Sequence, residues 1–246
     1  MKALIFAAGL GTRLKPLTDH IPKALVPVGG RPLLAHTLER LEKAGATEMA
    51  VNVHHLGEQI IRYLAEHPAS VPVHISDERD KLLDTGGGLR QAATLFRTEP
   101  EAPILLHNAD ILSNADLGEL YAASLTHDAL LLVSRRRTHR YLLFDEEMRL
   151  CGWTNIATGE VRTPYLQLDM SRMQHYAFAG IHCFSPRLLR FMQDFPEAFP
   201  IMDFYLSVCA KADIRGFLNP ELQLLDVGKQ DTLLAAEEFL RQNPTA

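Results

Sequence analysis

Arg13 and Lys23 stand ten residues apart, and the run before them reads Ala7-Ala8-Gly9-Leu10-Gly11-Thr12. These residue types suit one task, the holding of a polyphosphate. Glycines let the backbone turn sharply and bring N–H groups close to an anion with no Cβ in the way. Thr12 adds a hydroxyl, and Arg13 a planar guanidinium matched to phosphate oxygens. Lys23, after Pro22, supplies a second cation from a stiffened loop. Far along the chain, Asn108-Ala109-Asp110 offers an amide and a carboxylate. A carboxylate facing the phosphate cradle is suited to Mg²⁺, a hard cation that takes oxygen ligands and leaves other positions to water and phosphate. Asp84-Thr85-Gly86-Gly87-Gly88 is a third candidate. Three glycines before a helix are costly unless something needs the space, and a flat nucleobase could pack on their backbone.

The elements that must position these groups follow from apolar patterning. Ala3 to Ala8 reads as a buried β-strand emptying into the glycine turn. Pro32 to Ala44 carries Leu34, Leu38 and Leu41 on one helical face, with Gly45 as the stop. Strands are expected over 48–53, 71–76, 104–107 and 129–133, and helices over 57–66 and 89–96. A helix through Leu117, Leu120 and Leu125 is capped by Ser113 and Asp116. This alternation predicts an α/β protein with a parallel sheet covered on both faces. Asp110 then falls at the carboxyl end of a central strand, where open α/β sheets gather functional residues. Further on, Tyr141 to Trp153 reads as β-structure turning at Asp145–Glu147, and His175 to Ser185 as a strand. Helices at 186, over 202–211 and over 232–241 complete the chain, with Asn243 to Ala246 expected to fray. No linker or internal repeat breaks the pattern, so 1–246 reads as a single domain. Its nucleotide-binding part is about 1–128 and its acceptor-binding part about 129–246.

Composition narrows the partners. The net charge of −5 gives no case for nucleic acid or an anionic membrane. An anionic substrate must be held by local cations. Cys151, Cys183 and Cys209 are widely spaced and odd in number, which fits a reducing, cytoplasmic setting and not a disulfide framework. No signal peptide or membrane-spanning run is expected. His54 and His55 read as loop residues within reach of a substrate, Arg135-Arg136-Arg137 as a solvated edge with contact to a substrate phosphate or carboxylate as the alternative, and Asp203 as a helix-start residue.

Two phosphate motifs fail. Leu14 stands where GxGxxG needs its third glycine, and no Gly-Lys-Ser/Thr follows the turn. The longer string resembles the signature of the sugar-1-phosphate nucleotidyltransferases, the NDP-sugar pyrophosphorylases. It matches through Ala7-Ala8-Gly9, Gly11-Thr12-Arg13-Leu14, Pro16-Leu17-Thr18, Pro22-Lys23-Ala24-Leu25 and Pro27-Val28. The Thr85-Gly86-Gly87-Gly88 form is similar to the short branch of N-acetylmuramate-1-phosphate uridylyltransferases, with Asp84 in place of the usual glutamate. The resemblance implies a Rossmann-like, mixed and mostly parallel sheet. It implies nucleotide contacts from Ala7, Ala8, Gly9, Gly11, Thr12, Arg13, Lys23, Thr85, Gly86, Gly87 and Asn108. It makes Arg13 and Lys23 catalytic, and Asn108 and Gly180 substrate-binding. Asp226, in Asp226-Val227-Gly228, becomes the second Mg²⁺ ligand beside Asp110. The family's sugar-phosphate lysine has no counterpart, since no Glu-Lys-Pro occurs where Gly152-Trp153-Thr154-Asn155 stands.

The implied reaction is NTP plus sugar-1-phosphate to NDP-sugar plus pyrophosphate, with UTP and an N-acetylated amino sugar favoured by the glycine triplet and the short chain. Alternatives within the family are GTP with mannose- or heptose-1-phosphate, and phosphocholine as acceptor. A quaternary ammonium would need an aromatic or acidic cage, for which Tyr141, Trp153, Tyr165 and Tyr176 are candidates. A catalytically silent regulatory subunit is the reading from another class, and it would be expected to lose some of Arg13, Lys23, Asp110 and Asp226. The sequence leaves the oligomeric state open.

Overall fold

A computed structural model describes residues 1–243. The expected fraying at the end of the chain concerns 244–246, which lie outside the described residues. The first strand, β1 (Lys2–Phe6), ends at the glycine turn. Three short 3-10 turns follow, then the small hairpin β2 (Pro27–Val28) and β3 (Arg31–Pro32) and the helix α1 (Leu33–Lys43). Next come β4 (Glu48–Val53), α2 (Gly57–Glu66), β5 (Val73–Asp77), α3 (Asp84–Ala92), β6 (Ile104–Asn108), β7 (Ile111–Ser113) and α4 (Leu117–Ser124). The second part holds β8 (Ala129–Ser134), β9 (Arg140–Phe144), β10 (Leu150–Asn155), β11 (Glu160–Arg162), β12 (Gln174–Phe184), α5 (Ile201–Val208), β13 (Ile214–Leu218), β14 (Leu224–Asp226) and α6 (Asp231–Gln242).

The main sheet runs β11-β10-β9-β12-β6-β1-β4-β5, with β8 and β13 branching from β12. Strands β6, β1, β4 and β5 are parallel, as the alternation with helices requires. Strand β12 runs antiparallel to β6, β8 and β9, so the sheet is mixed. Register in the parallel core places Phe6 opposite both Asn52 and Asn108. Three side chains at carboxyl strand ends therefore share one row, the position where such sheets bind ligands.

Side chains alternate across β1: Ala3 and Ile5 join the core under α1 and α4, and Leu4 joins the opposite core under α3 and α5. The helical stripe Leu34, Leu38 and Leu41 fills the first of these. Gly45, at φ 90°, closes α1 as its pattern predicts. Asp116 caps α4 alone, accepting from the Glu119 N–H at 2.9 Å; Ser113 instead accepts from Arg40 at 2.8 Å. A third, smaller core brings Leu14, Val26 and Val28 together with Leu112, Val227 and Ala236. It fastens α6 and β14 onto the glycine-turn segment. Antiparallel pairing of β14 with β7 then sets Asp226 opposite Ile111, one residue from Asp110.

Candidate active site

The glycine turn, Lys23, Asp110 and Gly228 line a cavity of about 450 Å³ at the carboxyl ends of the parallel strands. The Lys23 ammonium binds the Asp110 carboxylate and lies 3.9 Å from Asp226 Oδ1. The Arg13 guanidinium lies 3.8 Å from Asp226 Oδ2. Four residues from three distant segments thus converge, and both aspartates face one ammonium. The Val227 N–H donates to the Asp110 carbonyl at 2.9 Å and locks the two acidic segments together. Exposure differs across the cluster. Lys23 is 13% exposed and Arg13 58%, so the lysine sits at the floor and the arginine at the rim.

Among the described residues, the N–H groups of Gly9, Leu10, Gly11 and Thr12 donate to no protein acceptor. They remain available to an anion. Gly11 sits at φ 65°, and a Cβ there would meet Thr18 Cγ2 at 2.8 Å. Thr18 also donates its hydroxyl to the Gly11 carbonyl at 2.8 Å. The turn is held from behind, leaving its front to the cavity.

The amides of Ala7 and Ala8 are not available in this way. Both donate to Asn52 Oδ1, at 2.7 and 3.2 Å. Asn52 in turn donates to Glu78 Oε1 at 2.8 Å, and Glu78 Oε2 accepts from the Leu83 N–H at 3.1 Å. Burial pushes the Glu78 carboxyl above its ordinary range. Asn52 and Glu78 line the cavity and brace the turn, and the sequence reading missed both. Asn52, a polar residue next to last in the strand Glu48–Val53 and preceded by the apolar run Met49–Val51, is the signal that could have pointed to the brace.

The glycine triplet is placed differently from expectation. Gly86, Gly87 and Gly88 lie inside α3, buried, and not in an open loop ahead of it. A Cβ on Gly86 would collide with the Phe199 ring, and one on Gly87 with the Glu197 carbonyl. A Cβ on Gly88 would come within 2.7 Å of Glu78 Oε1. The space is used by the protein's own 197–199 segment and by the Glu78 brace. Asp84 and Thr85 reach the cavity, whereas Gly86 and Gly87 do not line it. Gly180 is similar. It sits at φ 75° where β12 shifts register, and a Cβ there would come within 2.9 Å of Asn108 Nδ2. Asn108 fills the space expected to admit a sugar. The two histidines after β4 are also structural: His54 contacts the Glu78 carbonyl at 2.6 Å, and His55 the Thr18 carbonyl at 3.0 Å. Asp203 lies in the first turn of α5, paired with Arg162 at 2.8 Å.

A second cavity, of about 340 Å³, opens beside the first and shares Phe6, Thr85 and Asn108 with it. Tyr141, Trp153, Arg136 and Arg140 form part of its wall. Arg136 is exposed, as expected of a solvated edge, and also reaches this cavity. Tyr165 and Tyr176 do not line it; the Tyr176 hydroxyl donates to Gln174 at 2.7 Å and its ring packs near Phe144. His182 also lines the cavity, fully buried, and neither ring nitrogen has a protein partner. Burial depresses its pKa to about 3, so the ring is neutral at physiological pH. The Tyr205 hydroxyl, on the ring packed edge-on against His182, is likewise without a partner.

A family model described as Nucleotidyl transferase matches residues 2–141. An N-acetylmuramate alpha-1-phosphate uridylyltransferase of Caulobacter vibrioides is 30% identical over 98% of this chain and 97% of its own length. Its counterpart in Neisseria meningitidis is 43% identical over 47% of this chain and 49% of its own. Among solved structures, HddC from Yersinia pseudotuberculosis complexed with GMP-PN shares the fold, with a TM-score of 0.74 at 21% identity over 96% of this chain and 98% of that one. The converging cations and acids at the mouth of a mostly parallel sheet thus have their counterpart in sequence: the chain belongs to the nucleotidyl transferase family and is a sugar-1-phosphate nucleotidyltransferase.

Proposed function

We propose that the protein transfers a uridylyl group from UTP to the phosphate of an N-acetylated amino-sugar-1-phosphate, releasing pyrophosphate. One observation carries the reading of the site. A lysine held by two aspartates lines one cavity with a row of unpartnered backbone amides, and a second cavity sharing Phe6, Thr85 and Asn108 with it offers room for a sugar. The choice of base and sugar rests on the two uridylyltransferases named above, one of them aligned end to end.

The acceptor phosphate is anionic near neutral pH and is already a nucleophile, so no general base is needed. Its oxygen bonds to the α-phosphorus as the α–β bridging oxygen leaves with pyrophosphate. The difficulty is to bring two polyanions together in line and to stabilise the charge that builds on the leaving group. In this reading the Gly9–Thr12 amides and Arg13 hold the β- and γ-phosphates. Lys23 gives up its contact with Asp110 to meet the α-phosphate. The Asn52–Glu78 brace keeps the turn from relaxing.

The freed carboxylates bear on a divalent metal. Among the described residues no group of three His, Cys, Asp or Glu side chains is arranged to hold one. Asp110 and Asp226 offer a pair of hard oxygen donors, and this suits Mg²⁺ with phosphate and water in its other positions. When bound, such an ion would neutralise charge between the two phosphates.

The test is a matrix of four NTPs against glucose-, mannose-, N-acetylglucosamine- and N-acetylmuramic acid-1-phosphate, following pyrophosphate with Mg²⁺ or with EDTA. UTP with an N-acetylated acceptor should dominate, and EDTA should abolish the signal. Preference for GTP with mannose-1-phosphate would overturn the base and sugar assignment. Full turnover in EDTA would remove the metal.

A further inference from the structure

Four arginines, Arg135, Arg136, Arg137 and Arg140, crowd into six positions of a chain whose net charge is −5. Among the described residues, none of the four has a carboxylate within ion-pairing distance. Most other arginines of the chain do find one, or donate more than one bond elsewhere, Arg90 to backbone carbonyls and Arg40 to Ser113 and a backbone carbonyl, whereas Arg136 makes a single long contact with the Phe178 carbonyl. Two of the four, Arg136 and Arg140, line the second cavity, and no acidic residue lines it. Asp203, beside the lining residue Met202, is already engaged by Arg162. All four are exposed, so water screens their mutual repulsion, and what singles out Arg136 and Arg140 is their place on a cavity wall that offers them no counter-charge.

The acceptor's own phosphate is one source of that charge, but with the α-phosphate beside Lys23, as proposed above, it belongs elsewhere. To attack, its oxygen must approach the α-phosphorus to about 3–3.5 Å. That puts the phosphate at the junction of the two cavities, near Asn108 and Lys23. The arginines line only the second cavity, on the part of its wall that the first does not share. The sugar lies between. Tyr141 and Trp153 offer it flat apolar faces, and Arg136, which reaches the Phe178 carbonyl at 3.4 Å, stands beside them.

We propose that Arg136 and Arg140 read a second negative charge on the acceptor, a carboxylate carried by the sugar itself. The assignment rests on the reading of the second cavity as the sugar-phosphate site. Guanidinium forks match a carboxylate in plane and can bind it through two parallel N–H···O bonds. The same wall repels a quaternary ammonium, so phosphocholine is excluded by charge even though two aromatic rings are present.

The experiment compares two acceptors that differ by one lactyl ether: N-acetylmuramic acid-1-phosphate, which carries the carboxylate, and N-acetylglucosamine-1-phosphate, which does not. Each is assayed with UTP, using the wild-type protein and the double substitution Arg136→Gln, Arg140→Gln. The ratio of kcat/KM between the two acceptors should fall about tenfold to a hundredfold in the variant, the size expected for charge-assisted hydrogen bonds. KM for UTP and turnover of the uncharged acceptor should hold, the latter showing that the variant is folded. Equal loss with both acceptors would mean that the arginines hold the phosphate, and no loss with either would make them solvated surface; both results overturn the proposal. Absence of turnover with every sugar-1-phosphate in the wild type would instead strike the underlying reading of function. Arginine at position 136 alone, in the single substitution Arg140→Gln, should recover part of the ratio.

Discussion

The two cavities meet at Asn108 and are built on opposite plans. In the first, most polar side chains already have protein partners. Asn52 spans Ala7, Ala8 and Glu78, Thr18 holds Gly11, and Lys23 and Arg13 share two aspartates. In the second, Arg140 and Arg136 meet no carboxylate, Arg136 reaching only the Phe178 carbonyl, and His182 has no partner; behind the wall, the Tyr205 hydroxyl against His182 is likewise unpartnered. The difference follows from what each must do. A site that stabilises building charge gains most when its dipoles are fixed beforehand. A site that discriminates among sugars leaves its groups for the ligand to satisfy, since an unmatched ligand then strands them.

The largest effect tests the first plan. Lys23→Ala removes the one cation that both aspartates face, and turnover should fall about a hundredfold to a thousandfold. Arg13→Ala, at the exposed rim, should cost less. Circular dichroism should show both folded. If the two substitutions lower turnover equally, the floor-and-rim distinction is lost; wild-type turnover of Lys23→Ala would take the lysine out of the mechanism.

The same contrast explains what the sequence revealed. The first cavity takes most of its wall from the contiguous run 6–13 with Lys23 and Ala24, whose residue types declare phosphate chemistry; of the two acids that face Lys23, Asp110 closely follows β6 and Asp226 ends β14. The parallel core was legible for a related reason, because buried strands such as β1 read as continuous apolar segments, here from Ala3 to Phe6. The second cavity draws one to three residues each from β9, β10, β12 and α5, and no local pattern announces that Trp153 and His182 will line one cavity. The glycine triplet misled because a helix packed tightly on another segment needs missing Cβ atoms as much as a nucleobase would. Gly87→Ala separates these uses. A methyl group there meets the Glu197 carbonyl, so stability should fall by about 3 kcal/mol in a denaturant melt. Unchanged stability with weakened UTP binding would restore the base-platform reading.

Acid should test two buried imidazoles together, His182 of the second cavity and His107 in the sheet beside it. Burial holds His107 and His182 at a pKa of about 3 in the folded state, against about 6.5 in the unfolded chain. Below pH 6.5 the unfolded state binds more protons, so their contribution to stability is complete above 6.5 and is lost as pH falls. At pH 5 the loss is about 2 kcal/mol for each ring. Glu78, whose pKa is raised by burial, acts with the opposite sign and offsets part of this. Glu39 and Glu48, each lowered to about 2, contribute only below about pH 4.5 and leave the window from 6.5 to 5 to the histidines. Melting temperatures across that window should therefore drop. A flat profile would show that one or both rings take up protons in the folded protein.

The smallest effect is the most telling about the second plan. A buried polar group with no partner carries its full desolvation penalty, and its replacement by an apolar group of similar volume is neutral or stabilising. His182→Leu should therefore leave the melting temperature unchanged or raise it slightly at pH 7, and should steepen nothing below pH 6.5 where the wild type weakens. A His182 that merely packed between Phe178 and Tyr205 would also tolerate leucine in catalysis. If the imidazole is held in reserve for the acceptor, KM for the sugar-1-phosphate should rise while KM for UTP stays fixed. Stability and acceptor affinity moving in opposite directions is the mark of a group kept unsatisfied for a ligand. The first cavity predicts the reverse for its own members: Asn52→Ala should lose stability and nucleotide affinity together, because the same hydrogen bonds that hold the fold also shape the turn.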